Sequence, residues 1–583
     1  MNPSFLAIDP LGMRTTRRRL VTAVFVFLAL AICNRPASAQ FTSTIDLLPE
    51  STAGVVRIPE MPTFCDAWER TQFGALLAAP EMQPFLEEQR ERATSYFDTL
   101  NGKIGLKPRD VLEIASGEVV VAWLSFPDDK RRPYALCVSA DIRGNVQAAE
   151  AVAKTIDTDL KNGGAQRKDL EHAGQTIRVY RTKPKPGQLK IEEIALTWND
   201  ERIIAADRTE VVKQLLDAQA SGETPGAFAT RESYQSVLRQ SRDLIDATDV
   251  AEGIECWQWY AEPFTMGRIL REVVEYDRRG SVDILALLER QGFGVIEALG
   301  GIGVVGGKKF DVLHRGVVLA PGKLTKAARM LQAINEPLAP VPSWPTADSG
   351  TFYRINWRIE QAFWAAESLV NDALGDDVFR PMLDGIRDDV EGPQIDIAKD
   401  LLPNLDDEII LVTDNTLPVS VDSDRMLVAI RIKNADVVED LLRRAMEVDP
   451  DAMKMEFDAF DLWKVEPGQG DIGEIDDADL EALGFDSDDE EEAERLLSRW
   501  VIGVVRSPNA NAPDYVMFSS HPELLMELGQ RLQKGNNGDG LAALPATKAV
   551  VASLNELGAD EVTLQAIFHP SLSFRARYEL LRQ

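Results

Sequence analysis

The stretch from residue 110 to residue 142 occurs twice in this chain, 290 positions apart. Glu118 falls on Glu408 at this spacing (408 − 118 = 290), and residues 136–142 fall on residues 426–432 without a gap. Most apolar positions fall on apolar positions. A recurrence at one fixed spacing indicates a supersecondary unit that is used again, so the fold must accommodate this unit twice.

The end of the unit recurs at a wider spacing. Residues 203–205 correspond to 516–518, and residues 210–212 to 523–525, in both cases 313 positions on (516 − 203 = 313). The additional residues coincide with segment 471–494, which contains thirteen acidic side chains and no basic one. We predict that this acidic insertion is a surface loop of the second unit, because the entropy cost of a longer loop grows only logarithmically.

Hydrophobic periodicity predicts the elements of the unit. Apolar runs and alternating patterns indicate strands, and apolar residues three and four apart indicate helices. Short turns between the strands favour antiparallel pairing, so the predicted fold class is α+β, with duplicated strand-hairpin and helix units and largely antiparallel sheets. The elements predicted for the first unit are strands at 118–125, 134–142, 177–181, 191–198 and 202–206, and helices at 145–160 and 209–220.

This organisation divides the chain into five segments. They are a signal peptide (1–39), a first α+β unit (40–250), a degraded middle unit (251–336), a proline-rich linker (337–349) and a second α+β unit (350–583) that carries the acidic insertion. The four prolines of the linker make it stiff and mark the predicted domain boundary. A helix at 82–100 and a closing hairpin of strands at 562–568 and 572–578 are also predicted.

The N-terminus has the three parts of a secretory signal. Residues 17–19 are arginines, residues 20–32 form an uncharged apolar run, and residues 37–39 read Ala-Ser-Ala before Gln40. This pattern predicts export to the periplasm or the exterior, with cleavage before Gln40 and no membrane insertion afterwards. Retention as an uncleaved anchor and export by the twin-arginine route are the open alternatives.

Charge and cysteine content limit the partners and the fold. The formal net charge is −31, and such a surface repels phosphate backbones, which argues against nucleic acid and anionic membrane. Cations, basic proteins or another cell-envelope component are compatible partners, and solubility alone is the alternative reason for the charge. Cys65, Cys137 and Cys256 remain after cleavage, so at most one disulfide can form, and its presence stays open.

A family resemblance follows from three features. Residues 48–52 (Leu-Pro-Glu-Ser-Thr), the dipeptide Gly117-Glu118 and the repeated strand and helix units resemble a family of exported bacterial proteins known only as a domain of unknown function. The resemblance covers most of the chain after residue 39. It implies export and a duplicated α+β fold, and it brings no catalytic residues. The middle unit departs from the pattern, because Ile302 stands in the position of Glu118.

Two patterns in the middle unit suggest ligand binding. Residues 301–306 (Gly-Ile-Gly-Val-Val-Gly) match the spacing of a dinucleotide-binding turn, but that motif needs a helix that opens inside it. The residues that follow read as a strand, so we interpret the glycines as serving a hairpin and a close approach of strands. Trp257 and Trp259 alternate onto one strand face, where they either stack on a ligand such as a sugar or, more commonly, face the core.

The sequence contains no recognised catalytic motif. Gly-x-Ser-x-Gly and His-Glu-x-x-His do not occur, so the commonest signatures of exported hydrolases are missing. Glu118 and Glu408 could act as paired carboxylates, but each is better interpreted as the polar first residue of a strand. None of the histidines has a Cys, His or Glu at ligand spacing, which argues against zinc. The histidines are His172, His314, His521 and His569.

Only the acidic insertion suggests a cation. Residues 486–490 (Asp-Ser-Asp-Asp-Glu) could hold calcium weakly, but they lack the glycine and the terminal glutamate of a calcium-binding loop. A solvated acidic loop is the preferred interpretation. The sequence therefore predicts no cofactor and no catalytic, cofactor-binding or metal-binding residue. It favours a non-catalytic binding or scaffold protein of the cell envelope, with an exported hydrolase of unrecognised type as the alternative.

Overall fold

A computed structural model defines the fold over most of the chain. The residues it describes are 41–82, 108–129, 132–182, 193–222, 227–248, 253–273, 283–307, 309–420, 423–466, 500–509, 512–535 and 538–572, together with Arg575 and Glu579. The predicted signal peptide (1–39), the predicted helix at 82–100 beyond residue 82, and the acidic insertion (471–494) lie outside these residues.

The fold is α+β, as the sequence predicts, and its two large sheets are antiparallel. Residues 41–335 contain the strands of the first sheet and the helices that cover it. The strands are β1 Thr52–Ile58, β2 Val119–Ser125, β3 Tyr134–Asp141, β4 Gln166–His172, β5 Gln175–Arg181, β6 Glu193–Trp198, β7 Arg202–Ala206, β8 Ile254–Ala261, β9 Ala298–Val305 and β10 Val312–Leu319. The helices are α1 Thr44–Leu47, α2 Met61–Glu69, α3 Gln72–Ala78, α4 Pro108–Ile114, α5 Val146–Asn162, α6 Thr209–Ser221, α7 Glu232–Asp246, α8 Pro263–Val273 and α9 Ile284–Arg290.

The rest of the described chain forms the second large sheet, a separate two-stranded sheet of β11 and β19, and the helices that accompany them. The strands are β11 Glu336–Pro337, β12 Thr351–Asn356, β13 Leu405–Asn415, β14 Asp424–Ile432, β15 Ala452–Met455, β16 Leu462–Val465, β17 Trp500–Val505, β18 Asp514–Ser519, β19 Glu561–Val562 and β20 Leu564–Phe568. The helices are α10 Ile359–Leu374, α11 Phe379–Asp388, α12 Ala435–Val448, α13 Pro522–Lys534 and α14 Pro545–Glu556.

The two sheets have the same strand order over seven strands. The first runs β10-β9-β8-β1-β2-β3-β7-β6-β5-β4, and the second runs β20-β12-β13-β14-β18-β17-β16-β15. Hence β1, β2, β3, β7, β6, β5 and β4 match β12, β13, β14, β18, β17, β16 and β15 in turn. The neighbour of β1 on the other side is β8, and the neighbour of β12 is β20.

The spacings found in the sequence reappear as strand register. β2 and β3 pair Val120 with Ser139, and β13 and β14 pair Ile410 with Ala429, each 290 positions on. Across the next strand pair Ser139 lies opposite Ile204, and Ala429 lies opposite Met517, 313 positions beyond residue 204. The two sheets therefore match at the level of single residue pairs. Strand order and register do not show how the two halves arose, so an origin by duplication stays a prediction.

Both faces of the central strands of the first sheet are covered by helices. Val120 and Cys137 face one hydrophobic cluster with side chains of α1, α6 and α7, and Val119 and Val138 face the opposite cluster with side chains of α2, α4 and α5. Strands covered on both faces read as continuous apolar runs, which is why β3 is buried at every position. The predicted helix at 145–160 is confirmed as α5, which buries Ala149, Val152, Ala153 and Ile156.

The structure differs from the sequence prediction in three places. Residues 251–336, predicted as a separate middle unit, add β8, β9 and β10 to the first sheet. The proline-rich segment 337–349 packs against the second sheet, since Trp344 is 2% exposed and lies in that sheet's core. The strand predicted at 572–578 is wrong, because residues 570–572, Arg575 and Glu579 are helical. Pro570 has a fixed φ and no N–H, which suits a first helical turn better than a hairpin strand.

Within the described ranges no helix is both long enough and apolar enough to cross a membrane.

Candidate functional site

A charged cleft of about 410 Å³ opens at one end of the second sheet. It lies beside the loop that joins β13 to β14, next to helix α13 and the turn at residues 346–349. Its size falls within the ordinary range of small-molecule sites, which is on the order of 300–1,000 Å³. The charged residues that line it are Asp348, Asp414, Arg425, Glu527 and Arg575.

A bidentate ion pair forms one wall of the cleft. Asp414 on β13 and Arg425 on β14 lie opposite each other in register. Arg425 donates from Nε to Oδ1 at 2.7 Å and from Nη2 to Oδ2 at 2.8 Å. The side chains of Asp414 and Arg425 are only 4% and 14% exposed, respectively. Burial opposes the charge of Arg425, but the hydrogen bonds to Asp414 and the nearby carboxylates Glu527 and Glu523 outweigh it and raise the pKa of Arg425.

Two further carboxylates of the cleft make no direct contact with a cation among the described residues. Asp348 and Glu527 are exposed, and neither makes a hydrogen bond or an ion pair with any residue that the structure describes. Arg575, the remaining cation, donates to Glu579 at 3.0 Å. Among the described residues, the cleft therefore presents two carboxylates without a direct ion pair beside a neutralised pair, and the field of these residues is negative.

The same place in the first sheet is apolar and closed. The register that pairs Asp414 with Arg425 pairs Leu124 with Ala135 in the first sheet, 290 positions earlier. Leu124 and Ala135 are fully buried and belong to a hydrophobic cluster that also contains Phe228. One sheet thus fills this end with core side chains, whereas the other carries an ion pair and opens to solvent.

Glu118 and Glu408 do not form a catalytic pair. Each lies in its own sheet and is bound by an arginine of the neighbouring strand, Arg57 at 2.7 Å and Arg354 at 3.1 Å. Glu118 also accepts a hydrogen bond from the backbone N–H of Thr44 at 2.6 Å, and Glu408 accepts one from the hydroxyl of a buried tyrosine. These contacts describe structural ion pairs at matching positions.

The glycines at 301 and 303 lie within strand β9, and no helix opens there, so the dinucleotide-binding pattern is excluded. A Cβ atom on Gly303 would lie 1.9 Å from Cε2 of Trp257, and one on Gly301 would lie 2.6 Å from Nε2 of His314. The absence of a side chain makes room for these rings, which confirms the interpretation as a close approach.

The tryptophans of β8 lie on one half-buried face of the strand, so neither faces the core. The Trp257 ring packs edge-on against Phe64 of α2, and its strand neighbour Trp259 lies near the solvent, where its Nε1–H donates to Nε2 of His314 at 2.9 Å. Burial lowers the pKa of His314, which favours the neutral ring that accepts this bond.

The structure brings one serine and one histidine together. Oγ of Ser520 lies 2.9 Å from Nδ1 of His521. The same oxygen accepts a hydrogen bond from the backbone N–H of Met426 at 2.9 Å, as Oδ1 of Asp207 does from Leu136 in the first sheet at 2.8 Å. The Ser520 hydroxyl therefore accepts a backbone hydrogen bond in the second sheet as Asp207 does in the first. Ser520 does not line the cleft.

The other candidate residues weighed from the sequence do not converge. His172 contacts Asp217 at 2.7 Å, far from the other histidines in the fold, and His569 donates its backbone N–H to Gly350. Among the described residues no three His, Cys, Asp or Glu side chains form a group that could hold a metal ion. Cys137 is buried, and burial raises the pKa of its thiol to about 12. Residues 486–490, the alternative site for weakly bound calcium, lie outside the described residues.

Comparison with known proteins finds no matching family, no matching curated protein and no matching solved structure. The candidate site therefore rests on its own geometry. Sequence reasoning missed it, although one signal was present: the 290-residue spacing sets Asp414 on Leu124 and Arg425 on Ala135, which are two charged residues at apolar positions of the repeat.

Proposed function

We propose that this chain is an exported, non-catalytic binding protein of the cell envelope, and that the charged cleft is its binding site. The observation that carries the proposal is the Asp414–Arg425 pair. Desolvation of two charges makes a buried ion pair a weak source of stability, and apolar residues of similar volume often serve as well or better. Leu124 and Ala135 occupy the matching positions of the first sheet, so the frame itself does not need the charges.

The hydrolase alternative has less support. Its only specific observation is the contact between Ser520 and His521, and a nucleophile needs an accessible hydroxyl activated by an adjacent base that is itself oriented by a third group. The Ser520 hydroxyl instead receives the Met426 N–H. If the chain hydrolyses ester or peptide substrates through this pair, Ser520→Ala will abolish the activity.

The proposed export follows from the N-terminal sequence alone. Arginines at 17–19, the apolar run 20–32 and the small residues 37–39 support cleavage before Gln40. N-terminal sequencing of protein recovered from outside the cytoplasm is expected to begin at Gln40. An intact N-terminus in the cytoplasmic fraction would refute export.

The binding proposal is tested by giving the second sheet the residues of the first. The double variant Asp414→Leu/Arg425→Ala carries the pair that the first sheet tolerates at the same register. Residues 40–583 of the parent and the variant are screened by thermal shift against amines, amino acids, sugars and small carboxylates. Ligands of the cleft should raise the midpoint of the parent and not that of the folded variant. If every compound that stabilises the parent stabilises the variant equally, the cleft is not the site.

A further inference from the structure

We infer that the ligand of the charged cleft is a small organic cation that carries ammonium or guanidinium groups. This inference rests on the proposed function and adds the chemical class of the ligand. Some charged side chains of the cleft already have ion-pair partners and others do not, and this difference indicates the class of ligand.

The described arginines of the cleft each have a carboxylate partner. Arg425 makes the bidentate pair with Asp414, and such pairs are among the stronger hydrogen-bonded contacts in proteins. Arg575 is exposed and donates from Nε to Glu579. The described charges that line the cleft are three carboxylates and two guanidinium groups, so their field is negative and disfavours an anion.

The free groups of the cleft are acceptors. Asp348 and Glu527 make no hydrogen bond or ion pair to the part of the chain that the structure describes. Ammonium and guanidinium groups have only donors, and their bonds to carboxylates are charge-assisted. Such a ligand can place a donor on each carboxylate without breaking the Asp414–Arg425 pair.

An organic cation fits better than a bare metal ion. The described carboxylates of the cleft do not converge as a group of three ligands, and hard divalent cations require several oxygens at short distance. A ligand with its charges spread along an aliphatic chain can instead span a volume of about 410 Å³. Leu417 and Leu572, which also line the cleft, offer apolar contact to such a chain.

The test compares three ligands of the same length and different charge. Residues 40–583 are titrated by calorimetry with 1,5-diaminopentane, pentane-1,5-diol and glutarate. Two double variants are titrated in parallel. Asp348→Asn/Glu527→Gln removes the free carboxylates of the cleft. Glu150→Gln/Asp159→Asn removes two exposed carboxylates from α5 of the first unit, so the net charge changes equally.

The diamine should bind the parent and the α5 variant alike and should bind the cleft variant at least about tenfold more weakly, since each 1.4 kcal/mol of lost interaction is a factor of ten. The diol and glutarate should not bind. An equal loss of affinity in both variants would show attraction by overall charge and would overturn the inference.

The two proposals can fail separately. If the diol or glutarate binds the parent and binding is lost in Asp414→Leu/Arg425→Ala, the cleft is a binding site and only the inferred ligand class is wrong. If none of the three ligands binds and no compound of the thermal-shift screen distinguishes the parent from that variant, both proposals are wrong.

Discussion

Arg57 and Arg354 occupy the same position in the two sheets. Arg57 lies opposite Val120 in register, and Arg354 lies opposite Ile410, 290 positions after Val120. Each arginine forms an ion pair with the glutamate that recurs at the same spacing, Glu118 or Glu408. On the other side each lies opposite a buried glutamine of the next strand, at position 258 or 565. The repeat therefore preserves a polar cluster as well as a pattern of apolar side chains.

The Arg57–Glu118 pair should contribute to stability mainly through the cost of breaking it. Glu118→Gln leaves the Arg57 guanidinium without its counter-charge, and removal of one partner of a buried pair costs about 3 kcal/mol or more. Arg57 is 24% exposed, so we expect the lower end of that range. The double change Arg57→Met/Glu118→Gln should cost less than the single change, because it leaves no charge unpaired and the carboxamide can still accept the Thr44 N–H. Urea denaturation measures both, with exposed Glu150→Gln as a control that should leave the midpoint unchanged.

The pair Asp414/Arg425 of the second sheet corresponds to Leu124/Ala135 of the first, and exchanging the two pairs should have unequal effects on the free energy of unfolding. Asp414→Leu/Arg425→Ala should change the free energy of unfolding by no more than about 1 kcal/mol, because buried ion pairs are often replaced by apolar residues without loss. Leu124→Asp/Ala135→Arg places two charges in a closed core and should cost at least about 4 kcal/mol. Thermal and urea unfolding of both variants decide. Equal losses in the two directions would mean that the second sheet depends on its ion pair for stability.

Sequence periodicity predicted the strands and their pairing because each strand has few alternative registers. Apolar residues at consecutive or alternating positions fix which face is buried, and a slip of one residue would expose them. The sequence spacings of 290 and 313 residues therefore correspond to matching strand registers in the two sheets. In the first sheet these registers pair Val120 with Ser139 and Ser139 with Ile204. Exchange of one charged pair for one apolar pair does not alter this periodicity.

The cleft could not be predicted in the same way. Its carboxylates Asp348, Asp414 and Glu527 are distant in sequence, and only the chain path around β13, β14 and α13 brings them to one place. The burial of Trp344 could not be predicted either, for a related reason. The prolines around it suggest an exposed linker, whereas its large apolar surface is buried against the second sheet.

Gly303 should not tolerate a side chain. A Cβ atom there would lie 1.9 Å from Cε2 of Trp257, so Gly303→Ala must move the indole ring, and overpacking of this kind costs about 1–3 kcal/mol. Gly385 on α11 provides the matched control, since a Cβ atom added there would meet no atom within 4 Å among the described residues. Gly385→Ala should stabilise the chain by about 0.5–1 kcal/mol through helix propensity. Loss of stability in the control but not at Gly303 would contradict the packing described for β9.

Asp157 on α5 should make stability depend on pH in the acid range. Burial opposes its ionisation, but hydrogen bonds from Lys161, Tyr180 and Arg167 outweigh it and lower the pKa of Asp157 to about 2. Because the folded pKa lies below the unfolded value, the contribution is complete above about pH 5 and is lost as the pH falls toward 2. Asp157→Asn should therefore lower stability at pH 7 and progressively less at pH 4 and pH 3. Urea unfolding at the three values measures the difference, and a difference that does not shrink would refute the assignment.

The acidic insertion gives the last prediction. The thirteen acids of residues 471–494 repel one another, and Leu480, Leu483 and Phe485 supply too little apolar surface to offset an ordering cost of about 1–2 kcal/mol per residue. The insertion falls between β16 and β17, where the first unit passes from β5 to β6 without it. Replacement of 471–494 by a short Gly-Ser linker should therefore leave the melting temperature within a few degrees of the parent. If millimolar calcium affects melting at all, the same deletion should remove that effect, since these clustered carboxylates are the one cation site that the sequence suggests. Circular dichroism melts of both proteins, with calcium and with chelator, measure the two effects. A large loss of stability in the deletion would show that the segment packs against the fold, and a calcium effect that survives the deletion would place the cation elsewhere.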